Sequence, residues 1–119
     1  MPSRDYDVGF EKEPEGLDAF LDKQGYDLIP PEGKEANRDY ESREGGLVGL
    51  FYFAEAPKVE EGKVPDWEKK GYKIVAQLTI STSEDAEEAE RIAHEAVREY
   101  NGVLYDPQSD KFSMSPNRN

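Results

Sequence analysis

The sequence contains no cysteine and only one histidine, His94. Without cysteine the chain has no disulfide, no thiolate zinc site and no cysteine nucleophile. No run approaches the roughly 20 consecutive apolar residues of a membrane-spanning helix, so we expect no integral membrane protein and no membrane partner. The residues from Met1 to Asp5 lack the apolar core of a secretory signal, which predicts a cytoplasmic protein.

Basic residues are also scarce: 15 Lys and Arg stand against 27 Asp and Glu, and the formal net charge is −12. A chain this acidic repels phosphate groups, so we expect no nucleic-acid partner. The sequence lacks the G-x-x-x-x-G-K-[ST] and G-x-G-x-x-G loops that bind nucleotides, and it lacks the G-x-S-x-G and H-E-x-x-H motifs of hydrolases. We therefore expect no cofactor and no metal centre.

The apolar residues that are present occur in periodic clusters, which indicates a folded chain, and its length fits a single domain over 1–119. Alternating or continuous apolar stretches predict strands over four segments: 4–11, 47–54, 72–81 and 102–106. Apolar stripes at a spacing of three to four residues predict two helices: 14–24 and 84–100. Ser81 and Thr82 are candidate N-caps of the second helix.

This order of elements, β-α-β-β-α-β, predicts an α+β, ferredoxin-like (split β-α-β) sandwich. Its architecture is a four-stranded antiparallel sheet with two helices on one face. Flexible charged loops are predicted at about 30–46 and 55–71, and the tail, about 113–119, is expected to fray. The predicted core consists of the apolar residues on the inward faces of these elements: Val8, Phe20, Leu21, Leu50 or Phe51, Ile74, Leu78, Ile92, Ala93, Ala96 and Val97.

The second predicted helix is rich in acidic residues. An acidic face can steer a basic partner protein, and Glu88 and Glu95 are the residues we select as its docking candidates. The alternative is a solvated face, supported by ion pairs of Glu87 with Arg91 and of Glu95 with Arg98.

Two helices on one face leave the other face of the sheet open, and we expect Tyr52, Tyr72, Gln77 and Thr79 to line it. Trp67 is predicted to fold over that face, and aromatic side chains are common anchors in protein interfaces. Such a face is exposed to solvent, covered by loops or buried in an interface with a partner protein, and the sequence leaves these alternatives open.

Polar residues also follow the last predicted strand: Tyr105, Asp106 and Gln108. Ligands often bind where a strand leaves a sheet, but Asp106-Pro107 also suits a turn in which the carboxylate caps a following amide.

Acid–base groups are few. Asp5 and Asp7 lie on the same face of the first strand. We interpret this face as exposed and polar, in preference to a cation site. His94 has Glu90 one turn away and no identifiable nucleophile.

Together these features predict a small acidic, non-enzymatic module that binds or regulates another protein, with a basic surface on that partner. No catalytic residue is predicted, and the partner-binding candidates are Tyr52, Trp67, Glu88, Glu95, Tyr105, Asp106 and Gln108. One alternative is a small enzyme or ligand-binding protein that uses the open sheet face, with Asp106 and His94 as its titratable groups. Another is a purely structural homodimer formed through the same face.

Overall fold

The computed structural model describes residues 4–30, 37–45, 48–57 and 65–114. Within them, seven strands form one sheet: β1 (Arg4–Phe10), β2 (Tyr26–Leu28), β3 (Arg38–Ser42), β4 (Val48–Phe53), β5 (Ala76–Thr82), β6 (Val103–Asp106) and β7 (Lys111–Met114). The helical elements are α1 (Leu17–Lys23), α2 (Ala86–Tyr100) and a short 3-10 helix (Glu68–Lys70). All neighbouring strands are antiparallel, in the order β2-β3-β4-β5-β1-β6-β7.

The predicted fold class is wrong, because the sheet has seven strands rather than four. The prediction missed β2, β3 and β7. β3 lies inside the stretch predicted to be a loop, and β7 extends into the predicted tail. β3 has only Tyr40 as a buried residue, so its composition resembles that of a loop. Four parts of the predicted loops and tail lie outside the described residues: 31–36, 46, 58–64 and 115–119.

The four strands that were predicted are present with shifted ends, and they lie side by side as β4-β5-β1-β6. Residue 47 lies outside the described residues. β5 begins at Ala76 rather than at residue 72, and it pairs with β4 as predicted, with Leu50 opposite Ile80. α2 begins after Asp85, whose carboxylate accepts a hydrogen bond from the Glu88 amide (3.1 Å). The predicted cap Thr82 accepts a hydrogen bond from the Asp85 amide (2.9 Å), which fixes the entry into the helix.

The main hydrophobic core lies between the helices and one face of the sheet, which we call the helix face. Alternate strand residues reach it because side chains of a strand point to opposite faces in turn. They include Val8, Leu50, Leu78 and Ile80, none of which is exposed to solvent. Ile92, Ala93, Ala96 and Val97 of α2 pack on them as predicted, together with Phe20 and Leu21 of α1.

The opposite face of the sheet, the outer face, is partly covered by residues 65–75, which we call the covering segment. Trp67 of this segment packs with Val103 and Tyr105 in a second cluster, against which Ile74 and Phe112 are placed. The prediction that Ile74 points to the same face as Leu78 is therefore wrong. Ile74 precedes β5, so the alternation of that strand does not extend to it, and it lies over Gly9 instead.

Candidate functional site

The centre of the outer face carries an exposed aromatic ring, Phe51, which is 41% exposed. In the register of the sheet Phe51 lies between Asp39 on β3 and Thr79 on β5. A Cβ atom on Gly49 would come within 3.2 Å of the Phe51 ring, so the ring rests against the glycine. The absence of a side chain at Gly49 lets the ring lie along the sheet with its other side open to solvent.

All charged residues that the described strands place on the outer face are acidic: Asp5, Asp7, Asp27, Asp39 and Glu41. Asp27 is neutralised by Arg43 (Nη2 to Oδ1 2.8 Å), whose hydrogen bonds and charge lower the pKa of Asp27. Asp39 and Glu41 are exposed, and the described part of the chain shows no basic partner for either. The outer face therefore combines negative charge with an exposed ring.

Beside this patch lies a buried hydrogen-bonded network centred on Asp7, which is only 7% exposed. One carboxylate oxygen, Oδ1, accepts hydrogen bonds from Gln77 Nε2 (3.1 Å) and Thr79 Oγ1 (2.8 Å). Gln77 Oε1 in turn accepts a hydrogen bond from the indole N–H of Trp67 (3.0 Å). The network links β1 and β5 to the covering segment.

Burial raises the pKa of Asp7 to about 6, because the carboxylate loses its hydration. The hydrogen bond from Thr79 opposes this shift, the negative charge of Asp5 adds to it, and the hydrogen bond from Gln77 opposes it again. An exposed strand face was the preferred interpretation of the Asp5–Asp7 pair, and it is wrong for Asp7. Among the described residues no group of three or more His, Cys, Asp or Glu side chains is arranged to hold a metal ion.

Tyr52 was predicted to line the open face, but it lies on the helix face and is only 2% exposed. The guanidinium of Arg38 sits over its ring, 4.8 Å from the centroid. The continuous apolar run of β4 does not indicate which of its residues point inward, so the sequence could not distinguish Tyr52 from Phe51. Gln77 and Thr79 do lie on the outer face, as predicted.

Trp67 folds over the outer face as predicted, and it is itself buried, with 5% exposure. Its ring meets the rings of Phe112 and Tyr105 edge-on, with centroids 5.6 and 6.4 Å away. Tyr72 of the same segment packs against Phe112. Trp67 thus anchors the covering segment and offers little surface to a partner.

The polar residues after β6 form a turn. The Asp106 carboxylate accepts hydrogen bonds from the Gln108 amide (2.9 Å) and the Ser109 hydroxyl (3.0 Å), as the capped-turn alternative predicted. The side chain of Gln108 also bonds both the amide (2.9 Å) and the carbonyl (3.1 Å) of Asp5, as a neighbouring strand would.

Tyr105 is buried as well, and its hydroxyl donates to Asp110 (2.7 Å). The polar atoms that a ligand would need at the end of β6 are therefore largely bonded within the protein.

The acidic residues of α2 are partly neutralised by arginine. Glu95 pairs with Arg98 (3.1 Å) as predicted, whereas Arg91 pairs with Glu88 rather than with Glu87. Glu88 also accepts a hydrogen bond from the hydroxyl of Tyr26 (3.0 Å), which joins α2 to β2. The hydrogen bonds from Arg91 and Tyr26 lower the pKa of Glu88, although its partial burial opposes them.

The two titratable candidates for an enzyme are His94 and Asp106. His94 Nε2 is 3.5 Å from Glu90 Oε1, and both side chains are about half exposed. A groove of about 850 Å³ runs beside the covering segment, and its described lining includes Trp67, Tyr72 and Val75. His94 and Asp106 are not among the described residues that line it.

Sequence reasoning missed Asp39 and Glu41, because they belong to the strand that was predicted to be a loop. It also missed that Phe51 is the outward residue of β4. The alternation of Asp39, Tyr40 and Glu41 was the available signal, since one aromatic between two acids follows the period-two pattern of a strand with one buried face.

No family model matches this chain, and neither a curated protein nor a solved structure shows a significant match to it. In the described residues, neither α-helix combines the length and the apolar composition needed to cross a bilayer. What the protein does must therefore be inferred from its own surfaces, of which the outer face is the most distinctive.

Proposed function

We propose that this protein is a non-enzymatic binding module, and that its outer face takes up a basic segment of a partner protein. The observation that carries the proposal is the exposed ring of Phe51 beside Asp39 and Glu41, on a face whose described strands bear acidic charges only. Apart from Asp27, which Arg43 neutralises, these charges lack basic partners within the described protein. A cationic side chain of a partner protein would provide the missing basic partner.

The chemistry of such a contact follows from the side chains. An arginine guanidinium can lie over the open side of the Phe51 ring and bond a neighbouring carboxylate at the same time. At an exposed site the ring contact contributes about 0.5–1 kcal/mol, and each exposed ion pair contributes a similar or smaller amount. Several contacts must therefore act together, and the net charge of −12 would accelerate the encounter.

A homodimer through the same face has less support. Two copies brought together would place the exposed carboxylates of Asp39 and Glu41 near one another, and like charges at an interface disfavour association. A basic partner removes that repulsion, so charge complementarity favours a heterologous contact over self-association.

The proposal is tested with a fluorescent peptide of alternating Arg and Gly, titrated at low ionic strength and followed by anisotropy. Phe51→Ser and the double variant Asp39→Asn/Glu41→Gln should each weaken binding roughly fivefold or more, since about 1 kcal/mol corresponds to that factor. The matched control is the double variant Glu90→Gln/Glu99→Gln, which removes the same charge from α2. Equal weakening in the control would attribute binding to net charge alone, and a loss of less than twofold in Phe51→Ser would refute the role of the ring.

A further inference from the structure

We propose that the covering segment is a pH-sensitive cover of the outer face, and that ionisation of the buried Asp7 carboxyl promotes its local opening. This inference does not depend on what binds the outer face. It rests on the position of Asp7 beneath the segment and on the hydrogen bonds that connect the two.

The covering segment is attached to the sheet near its start and at its end. Near the start, the indole N–H of Trp67 donates to Gln77, and the amide of Gln77 donates to Asp7. At the end, the Val75 amide donates to the carbonyl of Phe10 (2.8 Å). In the described residues, the backbone hydrogen bond of Val75 is the one that joins this segment to a strand, and a segment attached to the sheet mainly by side chains can open without global unfolding. The ladder between β1 and β5 runs the full length of both strands and contains no residue of the covering segment.

The titratable and charged groups around Asp7 are mostly acidic or neutral. Asp5 is its neighbour on β1, β5 presents only the neutral Gln77, Thr79 and Ser81, and β6 presents Tyr105. The charged groups of the adjoining turn and of the covering segment are Asp106, Asp110, Asp66, Glu68, Lys69, Lys70 and Lys73. The five charged residues of the covering segment lie at partly or fully exposed positions, and Lys70 Nζ lies 5.7 Å from the centroid of the Phe112 ring. In the described part of the chain, therefore, no cation offsets the cost of ionising Asp7 in the closed state.

Opening returns Asp7 to water, where its pKa falls from about 6 towards the ordinary value of 3.8. The ionised form therefore favours the open state. With full hydration on opening, the opening equilibrium constant rises roughly tenfold between pH 5 and pH 7. Above pH 7 both states are ionised, and the constant becomes independent of pH.

Trp67 is the only tryptophan, so its indole N–H reports on the cover directly. Hydrogen exchange of this group is followed by NMR in the full chain, corrected for the intrinsic exchange rate, and compared with the amide of Ile80 in the centre of the sheet. The protection factor of the indole should fall roughly tenfold between pH 5 and pH 7 and then level off. It should remain below that of the Ile80 amide, because the cover opens more often than the sheet.

Asp7→Asn should abolish the pH dependence of indole protection, whereas Asp5→Asn, the matched control on the same strand, should keep most of it. Equal protection of the indole and the Ile80 amide would show that only global unfolding exposes Trp67, and it would overturn the proposal. An unchanged pH dependence in Asp7→Asn would do the same. If Asp7→Asn does not fold, the carboxyl ¹³C titration of Asp7 decides in the wild-type protein. Its midpoint, expected near pH 6, must coincide with the pH at which the slope of indole protection against pH has fallen to about half of its maximum, and any other midpoint refutes the linkage.

Discussion

Replacing Asp7 by asparagine should make the folded protein more stable at neutral pH. Asparagine has nearly the shape of aspartate, and its Oδ1 can accept both hydrogen bonds that Asp7 Oδ1 accepts, from Gln77 and Thr79. The substitution therefore removes the buried charge and keeps the network. The amide group that replaces Oδ2 brings new donors into a buried site, which offsets part of the gain.

The magnitude follows from the pKa of Asp7, which folding raises from 3.8 to about 6. A difference of about two pKa units corresponds to about 3 kcal/mol of stability lost at neutral pH, and this is an upper value for the gain. With a cost of about 1–2 kcal/mol for the new amide donors, we expect Asp7→Asn to raise the free energy of unfolding by about 1–2 kcal/mol at pH 7.5.

The pH dependence has a defined sign. Because folding raises the pKa of Asp7, its contribution to stability is fully present below pH 3.8 and is lost as the pH rises through about 6. The wild-type protein should therefore lose about 1 kcal/mol of stability between pH 5 and pH 7, relative to the variant. The lowered pKa values of Asp27 and Glu88 act in the opposite direction and below this window, since stability from those groups is lost as the pH falls.

Urea titrations at pH 5, 6, 7 and 7.5, followed by Trp67 fluorescence, measure both effects. Asp39→Asn is the matched control, because it removes an exposed charge from the same face and should leave the difference from wild type independent of pH. If the difference does not grow from pH 5 to pH 7, folding does not raise the pKa of Asp7 and the reasoning is refuted. If Asp7→Asn is less stable than wild type at pH 7.5, the new amide donors cost more than burial of the charge, which contradicts the expected gain.

Three further outcomes are expected. Gly102→Ala should lower the free energy of unfolding by about 1–3 kcal/mol in a urea titration, because the new Cβ would lie 2.8 Å from the carbonyl oxygen of Gly9; an unchanged midpoint would contradict that contact. Leu78→Ala should cost about 2–5 kcal/mol in the same assay, since Leu78 is fully buried, and a loss below about 1 kcal/mol would place it outside the core. Raising the salt concentration to about 0.15 M should raise the urea midpoint and slow the association of a basic peptide in stopped-flow measurements, because screening beyond about 8 Å weakens both self-repulsion and steering. A change of the same sign in stability and in association rate would contradict the electrostatic account.

The elements that were predicted correctly are those whose pattern is decided by burial. β5 alternates between a fully buried face with Leu78 and Ile80 and a polar face with Gln77 and Thr79, and α2 buries a continuous stripe. β7 buries no residue, and β3 shows only the short alternation of Asp39, Tyr40 and Glu41. β3 buries only Tyr40 and is held by backbone hydrogen bonds to its neighbours, which any polar sequence can provide. Extra strands of this kind are visible only once the neighbouring strands are placed.

The face of β4 was unpredictable for a different reason. All its residues except Gly49 are apolar, so either set of alternate residues could have pointed inward. The choice is made by partners on the neighbouring strands: Tyr40 and Ile80 on either side of Leu50, and Arg38 over Tyr52. The Asp7 network could not be predicted either, since the hydrogen bonds of the Asp7 carboxylate join residues about 70 positions apart. A single sequence specifies the residue types of such a site and leaves their distances open.

The two acidic surfaces of this protein differ in how many acidic residues they carry and in how many of those residues lack a basic partner. α2 has the denser run of acidic residues, but Glu88 and Glu95 are bonded to arginines one turn away, so their fields are reduced at a distance. The outer face has fewer acidic residues, but in the described structure neither Asp39 nor Glu41 has a basic partner, and both lie near the exposed ring of Phe51. A basic partner would gain most where charge is uncompensated and apolar surface is adjacent, which supports placing the proposed docking surface on the outer face rather than on α2.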